Sequence, residues 1–135
     1  MKRIKLLPLL SLIMVFAASC SNYGTRVKIN DKIEVYYKGD GVNEADATKV
    51  GKCIDTTFKS ATNNKTLQVT KDSGQYVVRM VVDKEKVKDN ALDVSFMAMQ
   101  FLIESQVFTG SKVKLVLTDE YFKDIKTYPS VSSAK

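Results

Sequence analysis

The stretch Tyr-Val-Val-Arg-Met-Val-Val at residues 76–82 decides the fold, because it alternates with a period of two. The alternation puts Tyr76, Val78, Met80 and Val82 on one side and the three remaining residues on the other. Such a run, rich in β-branched residues, predicts a strand. A turn signal, Asp72-Ser73-Gly74, and an alternating stretch at residues 66–70 precede it. Together they predict a β-hairpin.

Each arm of the hairpin is flanked by a helical pattern and then by another strand. Upstream, residues 32–38 alternate, and Asn43 is the expected N-cap of a helix with an apolar stripe of Ala47, Val50, Ile54 and Phe58. Downstream, a second helix capped by Asp89 or Asn90 runs to about Phe108, and Thr109-Gly110 stops it. A strand at residues 112–118 and a possible last strand at 122–128 follow.

The predicted order is β-α-β-β-α-β with a possible extra C-terminal strand, which is an α+β fold. Two right-handed crossovers would place both helices on one face of a four-stranded sheet. This is the ferredoxin-like split arrangement or a close relative. The fold hosts many unrelated functions, so it implies no activity by itself.

The first twenty residues have the composition of a targeting segment. Lys2, Arg3 and Lys5 make a basic start, residues 6–16 are apolar apart from Pro8 and Ser11, and small residues precede Cys20. These are the parts of a secretory signal. The apolar run is shorter than the ~20 residues that a membrane-spanning helix needs.

Ala17-Ala18-Ser19-Cys20 resembles the lipobox of bacterial lipoproteins, although Ala17 stands where Leu is commoner. The resemblance implies cleavage before Cys20, acylation of that cysteine and a membrane partner reached through the lipid. Ser21 and the lack of an acidic run after Cys20 favour the outer membrane, facing the periplasm. The alternative is a plain secreted protein. We therefore expect a signal peptide at 1–19, a lipidated tether at 20–30, one α+β domain at 31–128 and a flexible tail at 129–135.

Composition narrows the function classes. The 135 residues are 44% hydrophobic and 27% charged, which suits one globular domain. Without the three basic residues of the leader, 18 basic residues face 15 acidic ones, so the chain is not a nucleic-acid binder by charge. The chain has no His, and it shows no Gly-rich phosphate loop and no Cys/His cluster. We expect no enzymatic activity, no cofactor and no metal.

Cys53 is the one cysteine left after Cys20 is used for the lipid, so no intramolecular disulfide is expected. We interpret it as a helix residue at the edge of the core. The alternative, a reactive thiol, lacks a His to activate it.

The second helix carries two apolar stripes. One consists of Leu92, Phe96, Met99, Ile103 and Val107, and the other of Val94, Met97, Ala98, Phe101, Leu102, Ser105 and Phe108. A helix lying on a sheet buries one stripe, and large exposed apolar patches are rare on monomers. The surplus stripe either packs under helix one, the tail or a loop, or forms an interface. The candidate interaction surface is Val94, Met97, Phe101 and Leu102.

The open face of the sheet is a second candidate surface. Depending on register it carries Glu34, Tyr36, Lys38, Gln68, Val77, Arg79, Val81, Lys112, Lys114 and Val116. An aromatic residue among basic ones is superficially similar to RNA-binding sheets. One tyrosine and an export signal argue against that, so we expect a solvated face with paired charges and no nucleic-acid partner.

Residues 35–40, 67–71 and 76–82, together with Val107-Phe108 and the following strand, are similar to an uncharacterised domain of exported and membrane-bound bacterial proteins. The resemblance covers most of the chain beyond Asp31. It implies that Phe96, Met99 and Ile103 face the sheet and that the stripe with Met97 and Phe101 is the surplus one.

These observations predict a lipid-anchored, non-enzymatic module of the bacterial cell envelope. It would bind a protein partner, or itself as a homodimer, through helix two. The alternative is a small-ligand-binding or enzymatic domain with a deep cleft between sheet and helices. A third interpretation is an accessory subunit of an envelope complex.

Overall fold

The computed structural model describes residues 23–57 and 64–134. The predicted signal peptide, Cys20 and Phe58 lie outside the described residues. The strands are β1 (Thr25–Lys28), β2 (Ile33–Tyr37), β3 (Lys65–Asp72), β4 (Gln75–Val81), β5 (Val113–Thr118) and β6 (Asp124–Tyr128). The α-helices are α1 (Glu44–Thr57) and α2 (Asp93–Leu102), and α2 continues into a π-helical turn at Ile103–Val107. Short 3₁₀ helices occur at Lys84–Val87 and Val131–Ala134.

The six strands form one sheet in chain order, β1-β2-β3-β4-β5-β6. Strands β2 and β3 are parallel, as are β4 and β5, and the other neighbours are antiparallel. The α+β class, the predicted element order and the extra C-terminal strand are confirmed. The sheet is a relative of the split ferredoxin arrangement, because here each helix links two neighbouring parallel strands.

Both helices pack on one face of the sheet, as predicted, and they share one core. Strand residues such as Val35, Leu67 and Leu115 meet Ile54 of α1 and Ile103 after α2 in this core. Burying one apolar stripe of each helix against the same face gives a small domain a single continuous core.

The two crossovers have opposite hands. Strands β2 and β3 run in one direction and β4 and β5 in the other, while both crossovers step the same way across the sheet. With both helices on one face, one crossover must be left-handed. The expectation of two right-handed crossovers is therefore wrong for one of them, because strands in chain order would then need a helix on each face.

Helix α1 begins as the sequence predicts. The backbone N–H of Asp46 donates to Asn43 Oδ1 at 3.0 Å, and the N–H of Asn43 donates to Asp46 Oδ2 at 3.1 Å. This reciprocal pair satisfies N–H groups that a helix start leaves without intrahelical partners. It fixes the point at which the chain leaves the loop after β2.

Helix α2 begins later than predicted. Asp89 accepts a hydrogen bond from the N–H of Ala91, and the carbonyl of Asn90 accepts one from Asp93. These hydrogen bonds belong to turns before the helix. Asp89 and Asn90 therefore stabilise the segment that leads to α2, and the helix itself begins at Asp93. The predicted end near Phe108 holds only if the π-helical turn at Ile103–Val107 is included.

Both ends of the domain are more ordered than predicted. Thr25–Lys28, placed in the tether, pairs with β2 as strand β1. The tail expected to be flexible places Ser130 in a buried position and Ser132 in hydrogen bonds with Glu104. Strand β1 was not predicted because its sequence is mostly polar, and the contacts of the tail were not predicted because Glu104 lies 26 residues before Ser130.

Candidate functional site

The surplus stripe of α2 is exposed. Val94 is 77% exposed, Met97 56% and Phe101 53%, and Leu102 is half-buried. On the opposite side Met99 and Ile103 are buried, and Phe96 is half-buried against the core. The division of the two stripes therefore follows the one that the family resemblance implied.

The start of α2 is tied to strand β6. Asp93 Oδ1 accepts hydrogen bonds from Lys126 Nζ at 2.5 Å and from the Tyr128 hydroxyl at 2.6 Å. The hydrogen bonds from Lys126 and then Tyr128 hold the pKa of Asp93 below its usual value. Burial and the adjacent Asp93 carboxylate raise the pKa of Tyr128, so this phenol stays protonated. The exposed stripe is thus carried by a helix with a fixed N-terminus.

The end of α2 is held by a buried carboxylate, Glu104. Its Oε2 accepts hydrogen bonds from the N–H of Val113 at 2.8 Å, from Gln100 Nε2 at 3.2 Å and from the Ser130 hydroxyl. Its Oε1 accepts from the N–H and the hydroxyl of Ser132, at 3.1 Å and 2.8 Å. A second bond from Gln100 Nε2 reaches the carbonyl of Val113 at 2.8 Å.

Burial raises the pKa of Glu104, but the hydrogen bonds from Ser130, Val113 and Ser132 outweigh it and hold the pKa below its usual value. The carboxylate is therefore ionised at neutral pH and its oxygens are occupied by protein donors. This arrangement joins the π-helical turn, strand β5 and the C-terminal segment.

A cleft of about 800 Å³ opens between the start of α2 and the sheet. Its apolar lining consists of Met80, Val81, Val82, Val87, Leu92, Phe96 and Met99, and charged residues at the cleft are Lys65, Asp83, Lys84, Lys86, Asp119 and Glu120. This volume is in the range of small-molecule sites. The sequence analysis assigned Met80 and Val82 to one side of a strand, Val81 to the open face, and Leu92, Phe96 and Met99 to one stripe of helix two. It assigned neither Val87 nor the polar lining of this cleft.

Two of the acidic groups at the cleft are already engaged by backbone. Asp119 Oδ1 accepts from the N–H groups of Tyr121 and Lys123, both at 2.9 Å, and Asp83 accepts from Glu85. Burial lowers the pKa of Lys65, a shift that a close anion would oppose. Among the cations of the cleft, Lys65 is half-buried, whereas Lys84 and Lys86 are exposed.

The open face of the sheet is covered in part by aromatic rings. Tyr36 projects from this face in register with Gln68 and Arg79. The ring of Tyr23 lies 6.0 Å from that of Tyr36, and the Phe122 ring lies 5.3 Å from Tyr23 and 6.2 Å from Tyr36. Gln68 Nε2 donates to the carbonyl of Tyr23 at 3.0 Å. Tyr23, the third residue after Cys20 in the sequence, thus lies against the open face.

Both arginines of the open face are paired with carboxylates, as predicted. Arg26 Nε lies 2.6 Å from Glu34 Oε2, and Arg79 Nε lies 3.1 Å from Asp124 Oδ1. The expectation of a solvated face is wrong for Val77, Val116 and Gln68, which are buried on that face. The loop before β6 and the segment at Tyr23 cover part of this face, and the alternation of strand residues does not predict such long-range contacts.

Cys53 is half-buried beside the core, where burial raises the pKa of its thiol. Among residues 23–57 and 64–134, no group of His, Cys, Asp and Glu side chains could hold a metal ion. No helix in this described part of the chain is long and apolar enough to cross a membrane.

The fold is that of a small α+β domain, and its sequence matches a known family. A family model described as a family N-terminal domain covers residues 26–129, from β1 to the residue after β6. The chain belongs to this uncharacterised family. Comparisons with curated proteins and with solved structures gave no match.

Proposed function

We propose that the chain is a lipid-anchored protein of the bacterial cell envelope that binds another protein through α2. The observation that carries the interaction is the exposed stripe of Val94, Met97 and Phe101 on a helix fixed at both ends. Aromatic and methionine side chains are favoured anchors in protein interfaces. The lipobox resemblance at residues 17–20 supports attachment at Cys20 and a periplasm-facing position on the outer membrane.

The stripe suits binding because its support is rigid and its apolar side chains already face solvent. Asp93 holds the first turn to β6, and Glu104 holds the last turn to β5. A partner would therefore bury Met97 and Phe101 without reordering the helix, which keeps the entropic cost of association low. The proposed role is that of a non-enzymatic interaction module.

The test is a crosslinking pull-down from intact envelopes with the wild-type chain and Phe101→Asp. We expect Phe101→Asp to lose the crosslinked partner, by about thirtyfold or more in affinity if Phe101 is a hot spot. Thr56→Asp is the matched control, since it adds the same charge to an exposed position of α1. Equal capture by the wild type and both variants would contradict the proposal. A second copy of the chain as the captured protein would make the complex a homodimer.

A second candidate function, binding of a small apolar ligand with an anionic group, is favoured by the cleft near Lys65. The test compares a medium-chain fatty acid with the alcohol of equal length by calorimetry. If the carboxylate meets Lys65, Lys65→Ala weakens binding of the acid, by about ten- to a hundredfold for a charged hydrogen bond, and leaves the alcohol unchanged. Absence of binding by either molecule, or an equal loss for both, would contradict this candidate.

A further inference from the structure

We propose that the open face of the sheet lies against anionic phospholipid headgroups of the membrane that carries the lipid anchor. This inference rests on the proposed attachment at Cys20 and adds the orientation of the domain. Three observations support it: Tyr23 lies on the open face, an exposed tyrosine lies in the loop before β6, and the open face carries an excess of positive charge.

The length of chain between the anchor and the domain restricts the orientation. Tyr23 lies on the open face, where its carbonyl accepts from Gln68 and its ring contacts Tyr36. Two residues, Ser21 and Asn22, separate Cys20 from Tyr23, so the two positions are three residue steps apart. An extended chain spans at most ~3.6 Å per residue, or about 11 Å for this distance. The membrane surface must therefore come close to the side of the domain on which Tyr23 lies.

An exposed aromatic residue adjoins Phe122 in the sequence. Phe122 packs on Tyr23, and its neighbour Tyr121 is 66% exposed. Tyrosine is enriched at membrane–water interfaces, because its ring is apolar and its hydroxyl is polar. A membrane surface near Tyr23 would give Tyr121 that environment.

The charge of the face complements an anionic surface. Arg26, Lys28, Arg79 and Lys114 project from this face by strand register, against Glu34, Asp72 and Asp124. The exposed Lys38 and Lys112, next to β2 and β5, continue the same alternation. Glu34 and Asp124 are paired with the two arginines, and Asp31 Oδ1 lies 3.6 Å from Lys28 Nζ. Six basic side chains therefore stand against four acidic ones, Asp31 included, which leaves the face with a net positive charge. Basic side chains near an anionic leaflet attract its headgroups within a Debye length.

The same orientation leaves the helices on the far side of the sheet. Both helices pack on the opposite face, so the stripe with Met97 and Phe101 faces away from the membrane. A membrane on one face and a protein partner on the other would use both surfaces of this two-layer domain.

The experiment measures which face lies near the headgroups. The lipidated protein, purified from membranes in a Cys53→Ser background, carries a fluorophore at Thr127→Cys on the open face or at Met97→Cys on α2. It is reconstituted in phosphatidylcholine vesicles with or without phosphatidylglycerol, and a nitroxide headgroup lipid serves as quencher. We expect stronger quenching at Thr127 than at Met97 when phosphatidylglycerol is present, and a smaller difference at high salt.

Removal of two lysines of this face, by Lys28→Ala with Lys114→Ala, should lower the docked population about fivefold for each lysine. Lys49→Ala with Lys52→Ala, both exposed on α1, is the matched control and should have no effect. Protein that floats with the vesicles but shows equal quenching at both positions would overturn the docking and leave the anchor intact. Protein that does not float with the vesicles would instead overturn the lipid attachment itself.

Discussion

Glu104 joins three segments of the chain that are distant in sequence. Its carboxylate accepts hydrogen bonds from Val113 at the start of β5 and from Ser130 and Ser132 after β6, while it belongs to the π-helical turn that follows α2. A buried charge is costly unless its hydrogen bonds are made. Here donors from the protein replace the water that burial removes.

We predict that Glu104→Gln destabilises the domain by about 1–3 kcal/mol, because an amide offers one acceptor oxygen to donors that now use two. The wild-type pKa is lowered on folding, so the contribution is present above the unfolded pKa and is lost as pH falls through the folded pKa. Urea denaturation between about pH 3 and about pH 7, an interval in which carboxyl groups titrate, measures this contribution to stability. Glu120→Gln, exposed in the loop before β6, is the control. An unchanged stability and an unchanged acid limb would contradict the role of Glu104.

At this scale the sequence was informative where a contact is local. Asn43 caps α1 as predicted, because its partner Asp46 lies three residues away. Glu104 belongs to neither apolar stripe of the second helix, and nothing local indicates that it is buried. Its partner Ser130 lies 26 residues further on, beyond the range of any helical or strand period.

Helix α1 packs closely against Ile29 and the sheet at Gly51. A Cβ atom at this position would lie 2.3 Å from Ile29 Cγ1 and 3.1 Å from Val35 Cγ2. From sequence alone Gly51 is a weak point of the helix, costing ~1 kcal/mol against Ala. The structure gives it a packing role that reverses the expected effect of substitution.

We predict that Gly51→Ala destabilises the protein by about 1–2 kcal/mol, since overpacking outweighs the gain in helix propensity. Ala45→Gly, at an exposed position of the same helix, is expected to cost about 1 kcal/mol through propensity alone. Thermal denaturation of both variants measures the difference. A stabilised Gly51→Ala variant would show that Ile29 moves aside without cost.

Helix α2 shows which element properties can be read from periodicity. The pattern separated Met97 and Phe101 from Met99 and Ile103, and their exposure follows that division. It did not indicate the π-helical turn, which rotates the last residues relative to an ideal helix. Phe108, assigned to the outer stripe, is therefore buried against Tyr76, with ring centroids 3.8 Å apart.

The whole molecule has two layers, with the helices on one face of a six-stranded sheet. Alternation and helix signals were sufficient for the element order, because each strand and helix has a clear local pattern. The position of strands in the sheet is a long-range property, and the rule of right-handed crossovers favoured a different order from the one observed. Strand β1 was not predicted because three of its four residues are polar or basic and only Val27 is apolar.

The central claim of this account is attachment to a membrane through Cys20, since the proposed orientation and the site of action depend on it. Intact-mass analysis of the native protein, isolated from bacterial envelopes, tests it most directly. The account predicts a chain that starts at Cys20 and carries the added mass of two or three acyl chains, and Cys20→Ala should remove that mass. A native chain that still begins at Met1 without acyl groups would contradict it.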